Sequence, residues 1–185
     1  MTEYLHPEGL LAYFITFTTY GTHLHGDERG SVNPSHNTFG DPRLPIRPGL
    51  VAAEQAVLRQ RPFVMAADHR AAVNAAIVET CAVSGWDLSA LNVRTNHVHA
   101  LVAVDRAPER VMNSFKVWAT RRMREKGLVA ADALVRTRHA SMRSLWNDLS
   151  VAATADYINH WQGEELPGSI PAHLRPDCAH SAHAD

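Results

Sequence analysis

The residues best suited to chemistry in this chain are two histidines one residue apart, His97 and His99, within the run Asn96-His97-Val98-His99-Ala100-Leu101-Val102. In an extended strand, residues i and i+2 point to the same face. Both imidazoles therefore project together, while Val98, Ala100, Val102 and Val104 face the other way. Two neutral imidazoles side by side are natural metal ligands, and two polar rings in an otherwise apolar strand need partners in any case. His23-Leu24-His25 repeats the pattern, but in a glycine-rich stretch where nothing holds i and i+2 parallel, so it reads as a loop feature. Tyr157 stands near the end of the chain in Asp156-Tyr157-Ile158-Asn159-His160-Trp161-Gln162. A phenol is a poor nucleophile at its ordinary pKa of about 10. Beside a metal-polarised phosphate it can attack and form a covalent phosphotyrosine; otherwise it is a packing residue of an amphipathic helix.

A third feature is the distribution of charge. Ten of the 18 basic residues fall between positions 106 and 143: Arg106, Arg110, Lys116, Arg121, Arg122, Arg124, Lys126, Arg136, Arg138 and Arg143. Only Glu109, Glu125 and Asp132 oppose them, so a chain of net charge −1 carries one basic flank. Such a flank is either a solvated helix face or a surface for phosphate contact, and in the second case Arg110, Lys116, Arg121, Arg122 and Arg124 are the expected DNA-binding residues. Phe115 and Trp118, between them, are expected in the core.

The elements that must position these residues follow from periodicity. LAYFITFTT, 11–19, is a buried strand by its aromatic and β-branched content. Residues 20–49 are dense in Gly, Pro, Asn and Asp, a long excursion loop of the kind that is often functional. A short helix is expected over 51–60. Val73, Ile77, Thr80 and Cys81 give the spacing of an amphipathic helix over 66–84, ended by Gly85. Strands at 86–93 and 97–104 form a hairpin about Arg94-Thr95-Asn96. Pro108 opens a helix reaching about residue 126, before Gly127. A weaker strand is expected within 134–142 and a last helix over 151–162. The order strand, helix, strand, strand, helix, strand is the ferredoxin-like split βαβ arrangement. The expected fold is therefore α+β: an antiparallel sheet with helices on one face, plus a C-terminal tyrosine-bearing helix. One domain is expected over 1–185, with its core at 11–163 and a loose tail at 164–185.

Composition bounds the remaining classes. At 185 residues, 45% hydrophobic and 20% charged, the chain has the make-up of a globular protein rather than a disordered or fibrous one. No apolar run is long enough to span a membrane, and MTEYLHPEGL does not resemble a signal peptide. Two cysteines, Cys81 and Cys178, cannot make a disulfide framework, which suits a cytoplasmic protein.

The NHVHALV strand, the late tyrosine in YINHWQ and the ferredoxin-like order together resemble the single-tyrosine HUH transposases. These include small insertion-sequence transposases acting on single-stranded DNA and the REP-associated tyrosine transposases. AYFITFTTYGT followed by GDERGS is similar to a subgroup of that family. The resemblance spans about residues 11–163. It implies a metal-dependent endonuclease and strand transferase, in which His97 and His99 hold Mg²⁺ or Mn²⁺ and Tyr157 attacks the scissile phosphate. The products are a 5′-phosphotyrosine adduct and a free 3′-hydroxyl, and the implied partner is single-stranded, hairpin-forming DNA. Relatives that share the tyrosine helix between two subunits and relatives that act as monomers both exist, so a homodimer stays open.

The chain departs from the family at the third ligand. A Gln or Asn usually lies four residues after the tyrosine, about 40° round a helix; here that residue is Trp161, which cannot bind metal. Gln162, about 140° round, reaches the site if the helix loosens at its end, and His160 is the alternative ligand. Two other readings remain at this point. One is a noncatalytic DNA-hairpin-binding protein on the same fold; the other is a metal-dependent hydrolase with no DNA substrate, which the basic flank opposes.

Overall fold

In a computed structural model of the chain, the described residues are 4–27, 45–137, 140–164 and 166. Most of the expected excursion loop and tail, with Arg138 and Cys178, lies outside them. The elements are β1 (Ala12–Thr18), α1 (Pro48–Ala56), α2 (Ala67–Ser84), β2 (Asp87–Val93), β3 (His97–Ala103), α3 (Pro108–Glu125), β4 (Ser141–Leu145) and α4 (Asp148–His160). The strands make one antiparallel sheet in the order β2-β3-β1-β4. This is the α+β, split βαβ arrangement expected from the element order.

Strand alternation divides the side chains between two apolar layers. Tyr13, Ile15 and Phe17 of β1 and Val98, Ala100 and Val102 of β3 pack under α2 and α3 with Val73, Ile77, Phe115 and Met123. On the other face, Ala12, Phe14 and Leu101 pack under α4 against Ile158, Val151 and Ala155. The histidines belong to this second face. β2 changes phase between Leu88 and Ala90, where Leu88 pairs with Val102 and Ala90 with Leu101. One extra residue therefore sits in β2, the geometry of a β-bulge. The shift keeps Leu91 and Val93 with the α2/α3 layer and turns Asn92 toward α4.

The last strand lies further along than the expected 134–142. Val135 is buried without joining the sheet, and the Leu134 N–H donates to Gln60 Oε1. The strand is formed instead by SMRSL, whose Met142, Ser144 and Leu145 are partly or fully buried while Ser141 and Arg143 stay exposed. Edge strands pair on one side only, and this weak alternation suffices. α4 also begins earlier than expected, because Asn147 caps it by accepting from the Ser150 N–H at 2.9 Å. No described helix is long and apolar enough to cross a membrane.

Candidate functional site

His97 and His99 open β3, directly after the hairpin turn, and both project from the α4 face of the sheet. Their ring centroids are 4.6 Å apart. Each ring is held through Nδ1. For His97 the partner is Asn96 Oδ1 at 2.7 Å; for His99 it is the hydroxyl of Thr16 at 2.7 Å, its register partner on β1. Fixing Nδ1 leaves Nε2 to face the site, the way metal-binding imidazoles are usually oriented. Burial, and secondarily the neighbouring His97, pushes the His99 pKa down to about 3, so this ring is neutral at physiological pH.

α4 brings the other two residues in. Its stripe Val151, Thr154, Ala155 and Ile158 faces the sheet, which puts Tyr157 at the edge of that stripe. The Tyr157 ring lies 5.8 Å from that of His99 and 6.2 Å edge-on from Phe14. It remains 43% exposed, open to a large substrate. The end of α4 is tied down from two sides. The Asn92 side-chain amide donates to the Ile158 carbonyl at 2.8 Å, satisfying an acceptor that a helix end leaves without a partner. Arg94, in the hairpin turn beside His97, donates to the Glu164 carbonyl at 2.7 Å.

The helix stops at His160 with Trp161 as its cap, and Gly163 at φ +78° lets the chain turn. Gln162 is thereby free of helical geometry. Its Oε1 lies 3.4 Å from His97 Nε2, and its amide donates to the Tyr157 carbonyl at 3.3 Å. His97, His99, Gln162 and Tyr157 thus meet at one place. His160 does not join them: its Nδ1 lies 2.9 Å from Asp156 on the exposed side of the helix. The same carboxylate accepts from Trp161 Nε1 at 2.7 Å. These two hydrogen bonds hold the Asp156 pKa below the usual carboxylate range, that of Trp161 contributing most. The second histidine pair stays in its loop, with His25 Nδ1 3.0 Å from Glu54.

His97, His99 and Gln162 offer two imidazole nitrogens and one amide oxygen. When Nδ1 of His97 donates to Asn96, a neutral ring has no proton left on Nε2, and that lone pair faces the Gln162 oxygen. Two converging acceptors are what a cation resolves, and a mixed nitrogen and oxygen set with open positions suits Mg²⁺ or Mn²⁺. The residues present therefore fit a divalent ion. Among the described residues no group of three or more His, Cys, Asp or Glu could hold a metal elsewhere.

The basic flank is distributed differently from the expectation. α3 packs on the face of the sheet opposite the histidines. Arg121 pairs with Glu125 at 2.7 Å and Arg122 pairs with Glu79, while Arg110 and Arg124 are exposed. Lys116 is a correction: only 2% exposed, it donates to the Thr137 carbonyl at 3.1 Å beneath the helix and cannot reach a phosphate on the surface. Burial, then the nearby Arg136, pushes its pKa down to about 8. Trp118 is the reverse case. Expected in the core with the buried Phe115, it is 46% exposed, with the Arg121 guanidinium 5.0 Å from its ring.

Thr16, Asn92 and Arg94 were not singled out by residue type. Thr16 and Asn92 are the register partners of His99 on the neighbouring strands, a pairing that no local spacing announces.

Residues 56–159, 104 of the 185, match the family described as Transposase IS200 like. Among solved structures the chain is similar to a REP-associated tyrosine transposase bound to a REP hairpin. That likeness has 13% identity and a TM-score of 0.45, and covers 86% of this chain and 71% of that one. It is also similar to a protein of Deinococcus radiodurans R1 assigned as a transposase, at 13% identity and a TM-score of 0.43, covering 85% and 95% of the two chains. No curated protein matches.

Proposed function

The chain belongs to the IS200-like transposase family, and from that premise we propose that it cleaves and rejoins single-stranded, hairpin-forming DNA through Tyr157. The observation that carries this reading is the convergence of His97, His99 and Gln162 beside the Tyr157 ring. His97, His99 and Gln162 would hold one Mg²⁺ or Mn²⁺ ion. Bound there, the ion supplies Lewis-acid polarisation of a phosphate oxygen and orients the leaving 3′ oxygen.

The chain's own residues do the rest. Thr16 and Asn96 keep the imidazoles turned so that Nε2 faces the site. The Tyr157 oxygen attacks the scissile phosphorus, the bond from phosphorus to the 3′ oxygen breaks, and the proton lost by the phenol is balanced by the one the departing 3′ oxygen takes up. A 5′-phosphotyrosine and a free 3′-hydroxyl result. Attack of a 3′-hydroxyl on that adduct reverses the exchange and returns the proton to Tyr157, so rejoining needs no nucleotide cofactor. Asn92 and Arg94 hold the end of α4 beside the sheet through the Ile158 and Glu164 carbonyls. Arg110, Arg121, Arg122 and Arg124 serve phosphates of the DNA away from the scissile bond.

The test is a cleavage assay on single-stranded hairpin oligonucleotides with Mn²⁺. Replacing His97 and His99 together with Ala should abolish ion-dependent cutting while DNA binding survives, and His23→Ala/His25→Ala should cut normally. Cutting by the first double variant and loss of cutting in the second would place the ion at the wrong pair.

A further inference from the structure

A groove of about 670 Å³ runs from Tyr157 along the first half of α4 to the edge strand β4, within the size range of small-ligand pockets. Phe14, Arg143, Trp146, Ser150, Thr154 and Tyr157 line it. Arg143 is held in place: its guanidinium donates to the Thr154 hydroxyl at 2.9 Å and lies 5.6 Å from the Phe14 ring. Trp146, in the β4–α4 connection, is 52% exposed. The described lining residues include no carboxylate.

Resting on the reading of Tyr157 as nucleophile, we infer that this groove is the subsite for the unpaired nucleotide adjoining the scissile phosphate, with Trp146 stacking on its base and Arg143 contacting its phosphate. Three observations select this occupant. The groove is continuous with the attacking residue, so a strand presented to Tyr157 has to run along one of its walls. Among its described lining residues Arg143 is a cation oriented by Thr154 and Phe14, which complements a phosphodiester. Its most exposed apolar surface is a flat indole, and stacking on an aromatic face is how unpaired bases are held whatever their sequence. A duplex keeps its bases inside and cannot use that face.

The test compares a fluorescein-labelled single strand of mixed sequence with an abasic strand of the same length, by anisotropy. Trp146→Ala should weaken binding of the normal strand about tenfold and leave the abasic strand unchanged, whereas Trp146→Phe should restore most of the loss. Arg143→Gln should weaken both strands. A strand carrying 5-iododeoxyuridine should crosslink to the 144–154 segment of the wild-type protein, a readout that needs no variant to fold. If Trp146→Ala binds the normal strand as the wild type does, or crosslinks fall on α3 instead, the subsite is refuted. Adduct formation at Tyr157 would in that case still stand. A wild-type protein that forms no adduct and binds no single strand would overturn the function and this subsite together.

Discussion

His99 shows at the scale of one residue how the sheet prepares the site. It sits two positions inside β3, 7% exposed, with Thr16 opposite and the His97 ring beside it. Burial favours the neutral ring, the form that binds metal, and the preference carries a pH signature. Folded, its pKa is about 3; unfolded, it returns to about 6.5. Between these values the unfolded chain binds a proton that the folded chain does not, so this group makes stability rise with pH across that window and lowers it as pH falls from 6.5 toward 3. In chelator, denaturant unfolding of the wild type and of His99→Gln should therefore diverge. Relative to the variant, the wild type should lose on the order of 2–3 kcal/mol between pH 7 and pH 4.5. Parallel pH profiles would mean that His99 is not held neutral by the fold. Lys116 illustrates the opposite lesson. Its place in a basic run suggests a surface cation, but the helix period puts it beside Phe115, Ala119 and Thr120, all buried.

At the scale of elements, the end of α4 decides whether the chain's unusual ligand spacing works. Measured from Tyr157, Gln162 lies on the wrong side of an ideal helix. Because the helix ends at His160, Gln162 is released from that geometry and reaches His97 from the turn that follows. Asp156 clasps the turn by accepting from both Trp161 and His160, keeping those side chains on the outside while Gln162 reaches inward. Asp156→Ala should raise the Mn²⁺ concentration needed for half-maximal cleavage roughly tenfold, the usual effect of losing a group that orients a metal ligand, with cutting restored at saturating Mn²⁺. An unchanged Mn²⁺ dependence would remove Asp156 from the account. The strands and helices were readable because alternation and amphipathic spacing are local signals, as in the β3 run from His97 and the stripe through Val73, Ile77 and Cys81. β4 was misplaced because the buried Val135 mimics a strand residue while packing from a loop. The β2 bulge, which aims Asn92 at α4, depends on pairing across strands and leaves no mark in a single sequence. His97, His99 and Tyr157 were legible by type and spacing, whereas the partners that orient them belong to the register.

At the scale of the whole molecule, the sheet separates two charge environments. The proposed chemistry and Arg143 lie on the α4 face, and the arginines of α3 lie on the far layer. Phosphate contacts displace counterions, so the affinity for single-stranded DNA should fall with salt, with a slope of about 0.7 per contact in log–log form. Neutralising Arg121, Arg122 and Arg124 together should flatten that slope, by about 2 at most if all three touch phosphates. The pairing of Arg121 and Arg122 with glutamates argues for a smaller change. A slope that does not move would make α3 a solvated helix face, with DNA held by the α4 side alone.

The central claim is that Tyr157 becomes covalently joined to DNA, and a denaturing gel tests it most directly. Incubated with Mn²⁺ and a labelled single-stranded hairpin oligonucleotide, the wild-type protein should yield a labelled species that survives denaturation and disappears on protease treatment. Tyr157→Phe keeps the ring that packs against Phe14 and removes only the hydroxyl. It should fold, bind the same oligonucleotide with unchanged affinity and give no such species. An adduct formed by Tyr157→Phe would contradict the account.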